Sequence, residues 1–245
     1  MWVSMAYNVG IQHAKGDYII CQHNDVFYHS NLISRMIKDM EINNLEYNDQ
    51  IISLLESSKK PVVVLGLENL IDNTSEVISK ITNLLNCPTL VTYKAKGVIS
   101  DNDENLVGIF TGGKAEQISI IQSDLIILIG LDPVELILQP WPYDIPVLNI
   151  SLVKHEVHYV NAEANLFGDL NFNLKKYLKY FTKSDWKKAE IKFFKEQIKS
   201  KLIFPSNNSL NPQSIVENAQ IFSINNPRIS IDAGAHMFSA TAFWN

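Results

Sequence analysis

Two places in this chain put glycine where a strand gives way to a helix, an arrangement that can hold a phosphate. In the first, a β-forming run over residues 228–232 is followed by Gly234 and a helix start. Glycine lets the backbone approach an anion closely, and the amides of such a turn can donate to phosphate oxygens. In the second, Gly112 and Gly113 follow a strand and open a helix. The Gly-x-Gly-x-x-Gly spacing is absent there, so a tight structural turn is preferred over a dinucleotide seat. Asp132 and Glu135 could work as a paired acid and base, but Asp132 before Pro133 at a strand end reads more simply as a helix cap. His155 and His158 lie three apart with no third ligand nearby, and read as loop surface, as do His23 and His29.

The elements that must position these residues belong to a chain of ordinary globular composition, with 245 residues of which 46% are hydrophobic. A net charge of −5 and a pI near 5.7 argue against a nucleic-acid binder, because neutralising phosphates requires a basic surface. Lysines crowd into residues 175–201, but acidic and apolar residues interleave at helical spacing, which predicts a solvated amphipathic helix. Cys21 and Cys87 have no metal-ligand or CxxC spacing, which fits a reducing cytoplasm. No apolar run approaches the roughly 20 residues that span a bilayer, and the N-terminus lacks the plan of a signal peptide.

The sequence separates into three sections. Residues 1–47 read as a short helix, a turn at Gly16 and Asp17, a buried strand over 18–21, a polar corner at His23, Asn24 and Asp25, and a helix opened by Ser30 and Asn31. Residues 48–182 begin with a helix over 50–58. The run 62–66 is apolar without alternation, as expected of a parallel strand covered on both faces. A helix over 74–85, capped by Thr74, leads to a strand over 89–93, and a helix over 114–122 leads to a strand over 124–130. A strand over 146–150 and a helix over 170–180 complete the section. Strands alternating with helices predict an α/β fold, a Rossmann-like doubly wound parallel sheet with right-handed crossovers. Residues 183–245 read as a long charged helix over 184–201, a turn-rich loop, a helix over 212–222 and the strand over 228–232.

The segments KKPVVVLGLE (59–68), LLNCPTLVTYKAKGVI (84–99), VGIFTGG (107–113), SDLIILIGLDPVEL (123–136) and FGDLNFNLKKYL (167–178) resemble the central domain of thiamine-diphosphate-dependent enzymes of the acetolactate synthase type. The resemblance implies a domain that lies between a pyrimidine-binding and a pyrophosphate-binding domain in a homo-oligomer. It also implies thiamine diphosphate and Mg2+ as cofactors, and decarboxylation of a 2-oxo acid followed by release or transfer. PQSI (212–215) and ISIDAGAHMF (229–238) resemble the start of the pyrophosphate-binding domain, which would set Ala233, Gly234, Ala235 and His236 beside the cofactor's phosphates.

Some relatives hold FAD or ADP near the second glycine pair, but the Arg-rich segment that accompanies FAD is replaced here by residues 131–136. The magnesium motif, Gly-Asp-Gly ending in Asn, is not matched by Gly168 and Asp169, and nothing in residues 1–47 resembles the domain that supplies the activating glutamate. Those residues instead resemble part of a family-two glycosyltransferase, through Asn8 and Gly10, residues 14–18, and the corner at Asp25, where such enzymes hold a divalent ion. The expectation is a truncated or fused product, inactive alone. A nucleotide-sugar-dependent glycosyltransferase fragment and a non-catalytic interaction module with an apolar patch around residues 233–244 are the alternatives.

Overall fold

The computed structural model describes residues 48–136, 140–155, 159–205, 210–224, 227, 229–232 and 234–244. Helix α1 (Asp49–Ser57) begins where the Asn48 side chain accepts from the amides of Gln50 and Ile51. Strand β1 (Pro61–Leu65) follows, every residue buried. After it come the single turn α2 (Glu68–Ile71), helix α3 (Ser75–Leu85), strand β2 (Thr89–Thr92) and strand β3 (Leu106–Phe110). The short helix α4 (Gln117–Ile120), β4 (Leu125–Ile129), β5 (Val147–Ser151), β6 (Ala164–Phe167) and α5 (Leu170–Tyr177) complete the sheet and its cover. Beyond them lie α6 (Lys188–Leu202), α7 (Pro212–Phe222) and α8 (Ala235–Phe243).

The six strands pair in parallel in the order β3-β2-β1-β4-β5-β6. This is the doubly wound α/β architecture that the alternation of elements predicts. Chain order reverses between β1 and β4, so the two halves of the sheet wind in opposite directions from that pair. Val63 stands opposite Thr89 on one side and Ile127 on the other, which puts two wholly buried apolar runs, β1 and β4, side by side at the centre of the core. Among the described residues, no helix is long and apolar enough to cross a membrane.

Strands β1, β2, β4 and β5 lie within a residue or so of their expected bounds; edge strand β3 is the strand expected, without bounds, before Gly112, and edge strand β6 is additional. The helix expected over 114–122 shrinks to α4, because residues 111–116 are folded into a turn around the Glu116 carboxylate. Thr74 occupies the N-cap position of α3 but does not cap it; its hydroxyl donates to the Asn69 carbonyl oxygens instead. No helix follows Asp132 among the described residues; its carboxylate accepts from the Val134 amide, a local Asx turn. The described part of the run expected as a strand over 228–232, residues 229–232, has no regular structure, since no neighbouring strand pairs with it.

Helix α6 starts later than its composition suggests because residues 184–186 latch onto the sheet first. The Ser184 amide donates to the Leu85 carbonyl, the Asp185 amide to Lys59, and the buried Trp186 indole to the Pro61 carbonyl at 2.8 Å. Lys60 lies 4.4 Å over the Trp186 ring and pairs with Glu190 at 2.9 Å. From that anchor α6 runs along β3, burying Ile191, Phe194 and Ile198; Lys188, Lys192, Lys199 and Lys201 are exposed, whereas the half-buried Lys195 donates to the Asp101 and Asp103 carbonyls. Gly108 of β3 is the notch that permits the contact: a Cβ at this position would stand 2.8 Å from Cγ2 of Ile198.

Substituting Gly108→Val should destabilise the fold by about 1–3 kcal/mol, as overpacking of a filled contact does. Adding Ile198→Ala should recover part of the loss, so that the double variant falls short of the sum of the single effects by about 1 kcal/mol. Urea denaturation of the four proteins reads this; strict additivity would show that helix and strand do not meet there.

Candidate functional site

In doubly wound sheets a ligand enters the crevice beyond the carboxyl ends of the strands where the order reverses, here beyond β1 and β4. The turns after these strands bring Gly66 and Leu67 beside Gly130, Leu131 and Asp132. Into this space projects Glu135, 1% exposed. Its Oε1 accepts from the Leu67 amide at 3.0 Å and the Asp132 amide at 3.2 Å; its Oε2 accepts from the Thr92 hydroxyl at 2.6 Å and again from Leu67. The Tyr93 hydroxyl donates to the backbone carbonyl of the same glutamate. A Cβ on Gly66 would come within 2.6 Å of the carboxylate, so this strand end tolerates no side chain.

The other amides of the first turn are also engaged, Gly66 with Ile129, Glu68 with Gly130 and Asn69 with Gly66. The Asn69 side chain, fully buried, donates to the carbonyls of Gly66 and Ile129. Glu68, 4% exposed, accepts from the Leu152 amide at 2.8 Å and contacts His155 Nε2 at 3.0 Å. His155 is therefore drawn from the loop surface onto the crevice, while His158 lies outside the described residues. Burial pushes the Glu135 carboxyl above the usual carboxylate range; the Thr92 hydroxyl and the Leu67 and Asp132 amides pull the other way, and the neighbouring Asp132 charge pushes it up.

The second glycine turn has the same construction. Glu116, 1% exposed, accepts through Oε1 from the Thr111 amide and hydroxyl and from the Gly113 amide. Its Oε2 is buried without a hydrogen-bond partner, as are Trp141 Nε1 and the Tyr143 hydroxyl. Trp141 packs edge-on against Tyr143 with ring centres 5.0 Å apart and also meets Phe110 and Tyr159. Burial, with the Glu116 charge nearby, raises the Tyr143 hydroxyl well above its ordinary value. Cys87 is buried at the start of β2, its thiol pushed up to about 12 by desolvation, which leaves it an unreactive core group.

The residues expected to meet a diphosphate lie at the start of α8. Gly234 has a positive φ of +147, a conformation that favours glycine, and its carbonyl accepts from the Met237 amide. The His236 ring folds back over it, so that a Cβ on Gly234 would meet the ring at 2.9 Å. Ala235 and His236 form the first helical residues, and Ala233 lies outside the described residues. The helix is held to the domain by buried Thr241 and Phe243 and by an edge-on contact of Phe238 with Tyr93, ring centres 5.8 Å apart. Large apolar side chains exposed here are Phe238, within the 233–244 segment, and Ile221, Phe222 and Ile224, at the end of α7 and just after it. Among the described residues, no three His, Cys, Asp or Glu side chains converge as a metal site. Asp25, His23, His29 and Cys21 lie outside the described residues.

Fold and crevice together define a Rossmann-like domain whose ligand edge is lined by the chain's own carboxylates. Residues 48–177, which are 130 of the 245 in the chain, match the family described as thiamine pyrophosphate enzyme, central domain, and the chain belongs to this family. It is 28% identical over 134 residues to a probable acetolactate synthase large subunit of Methanococcus aeolicus, and 27% identical over 139 residues to 2-hydroxyacyl-CoA lyase 1 of Mus musculus. The matches cover 52% and 55% of this chain but only 22% and 23% of those proteins. Residues 2–53 match glycosyl transferase family 2.

Reading the sequence missed the buried roles of Glu68 and Glu116. The available signal was a lone acid directly after an apolar strand or a glycine turn, where strand-end amides need acceptors.

A pH-dependent stability follows from Glu135. Because its folded value is raised, the folded chain holds the proton more tightly than the unfolded one. The associated stability is full below the ordinary glutamate range and is lost as pH rises through the raised value. Glu135→Gln has no proton to lose at this position. Stability of the wild type relative to this variant should therefore decline across that window, as read by urea midpoints at a series of pH values. A difference that grows with pH would contradict the sign.

Proposed function

We propose that residues 48–182 are the scaffold domain of a thiamine-diphosphate-dependent lyase of the acetolactate synthase type, acting on a 2-oxo acid, and that this chain does not turn over substrate by itself. The observation that carries the reading is the family match on the central domain, together with a sheet whose ligand edge is filled by Glu68, Glu116 and Glu135. In this reading the domain fixes the spacing of its neighbours and takes no part in bond making. The cofactor, when bound, supplies an electron sink for the carbanion left by decarboxylation.

Gly234, Ala235 and His236 are the residues here that would hold its diphosphate. Two amides at the start of a nine-residue helix and one ring nitrogen suit phosphate oxygens. Ala233 belongs to the same proposed contact. Magnesium would need carboxylates beyond this helix start, since none converge among the described residues. A homo-oligomer in the cytoplasm goes with the same reading.

Two measurements test it. Purified chain supplied with thiamine diphosphate, Mg2+ and pyruvate should release no CO2 above buffer and should show no saturable cofactor binding at micromolar concentration. Cofactor-dependent release would overturn the scaffold assignment. Residues 48–182 installed in place of the central domain of the Methanococcus aeolicus relative should leave CO2 release, if that protein performs it, within about tenfold of the parent. A folded, assembled chimera with no activity would count against a purely architectural role.

A further inference from the structure

The buried charged residues of the described structure are Glu68, Glu116 and Glu135, and all three lie at the carboxyl edge of the sheet. This is where a parallel sheet gathers donors: the first amides after each strand have no intrastrand partner, and the turns aim them outward. In nucleotide-binding domains of this topology a ligand's phosphates take those amides. Here a carboxylate from the chain occupies that place after four of the six strands. Glu135 takes the Leu67 and Asp132 amides after β1 and β4, Glu116 takes the Thr111 and Gly113 amides after β3, and Glu68 takes the Leu152 amide after β5.

Three features bear on an incoming phosphate. The donors it needs are engaged, with the Leu67 amide shared between both oxygens of Glu135. The space is filled, since even a methyl group on Gly66 would strike the carboxylate at 2.6 Å. And the local charge is negative, with Asp132 within electrostatic reach of Glu135.

We propose that Glu135 is a built-in substitute for a ligand phosphate and is the residue that makes this domain refuse diphosphate-bearing molecules such as ADP or a dinucleotide, with Glu116 performing the same office at the Gly112–Gly113 turn. The exclusion is local to the central domain and does not depend on the activity proposed above. Removing the Glu135 carboxylate frees two amides that face each other across the switch point, and so converts a closed crevice into an anion site.

The test is titration of ADP, and separately of inorganic phosphate, against the wild-type chain and against Glu135→Ala, with 15N-resolved amide shifts as the readout. In the wild type the Leu67, Gly113 and Asp132 amides should not move saturably with either probe. In Glu135→Ala, the Leu67 and Asp132 amides should shift and the affinity for phosphate should rise at least about tenfold. Saturable movement of those amides in the wild type overturns the proposal without any variant being needed. A folded Glu135→Ala with no gain in phosphate affinity overturns it as well. If that variant does not fold, Glu135→Ser provides the second arm: its short side chain withdraws the acceptor from both amides, opens the space and loses the charge, and a phosphate affinity equal to wild type there would remove Glu135 from the role.

Discussion

The carboxylate of Glu135 has almost no access to water, so it can exist where it does only because donors from three strand ends converge on it. Leu67 comes from the turn after β1, Thr92 from the end of β2 and Asp132 from the turn after β4. A buried carboxylate short of donors carries a penalty of several kcal/mol, and strand-end amides short of acceptors carry one of their own. Each group offsets part of the other's deficit. The geometry of the switch point then follows, because both turns must hold their amides toward one pair of oxygens and Gly66 must stay bare.

The two edges of the sheet are organised by different means. At the carboxyl edge the chain uses buried acids. At the amino edge it uses the exposed Asp124, which accepts from the Lys59 and Lys60 amides and the Ser58 hydroxyl, and the latch formed by Ser184, Asp185 and Trp186. The latch ties the charged helix α6 into the sheet's own hydrogen bonding, although the helix comes after the last strand in sequence. Its burial of Ile191, Phe194 and Ile198 also covers the outer strand β3, which would otherwise present an open edge beside Gly108.

Much of the core was legible from composition along the chain. The runs that became β1 and β4 are apolar without alternation because both faces of a central parallel strand are covered, and that signal does not depend on long-range context. The edge strands were less legible for the complementary reason: β3, with Gly108 in its middle, could be read only as a strand of unstated bounds before Gly112, and β6, which exposes Asn165 between buried neighbours, was not seen. The carboxylates were harder still. Glu135 sits three residues after Asp132, a spacing that suggests an acid-base pair or a capped helix, and only the folding of β1 and β2 beside β4 reveals its partners. His155 read as surface for the same reason, since Glu68 is 87 residues away in sequence.

The latch at Trp186 has a consequence for how this architecture can vary. Helix α6 is a 15-residue rod of about 22 Å, clamped at its first turn and seated by Ile198 in the Gly108 notch near its last. One residue inserted between those two points would turn everything beyond it by about 100° and advance it by about 1.5 Å. The length of α6 therefore sets the azimuth at which the polypeptide leaves the sheet, and insertions or deletions should be purged from it while they accumulate in the loops between β4 and β5.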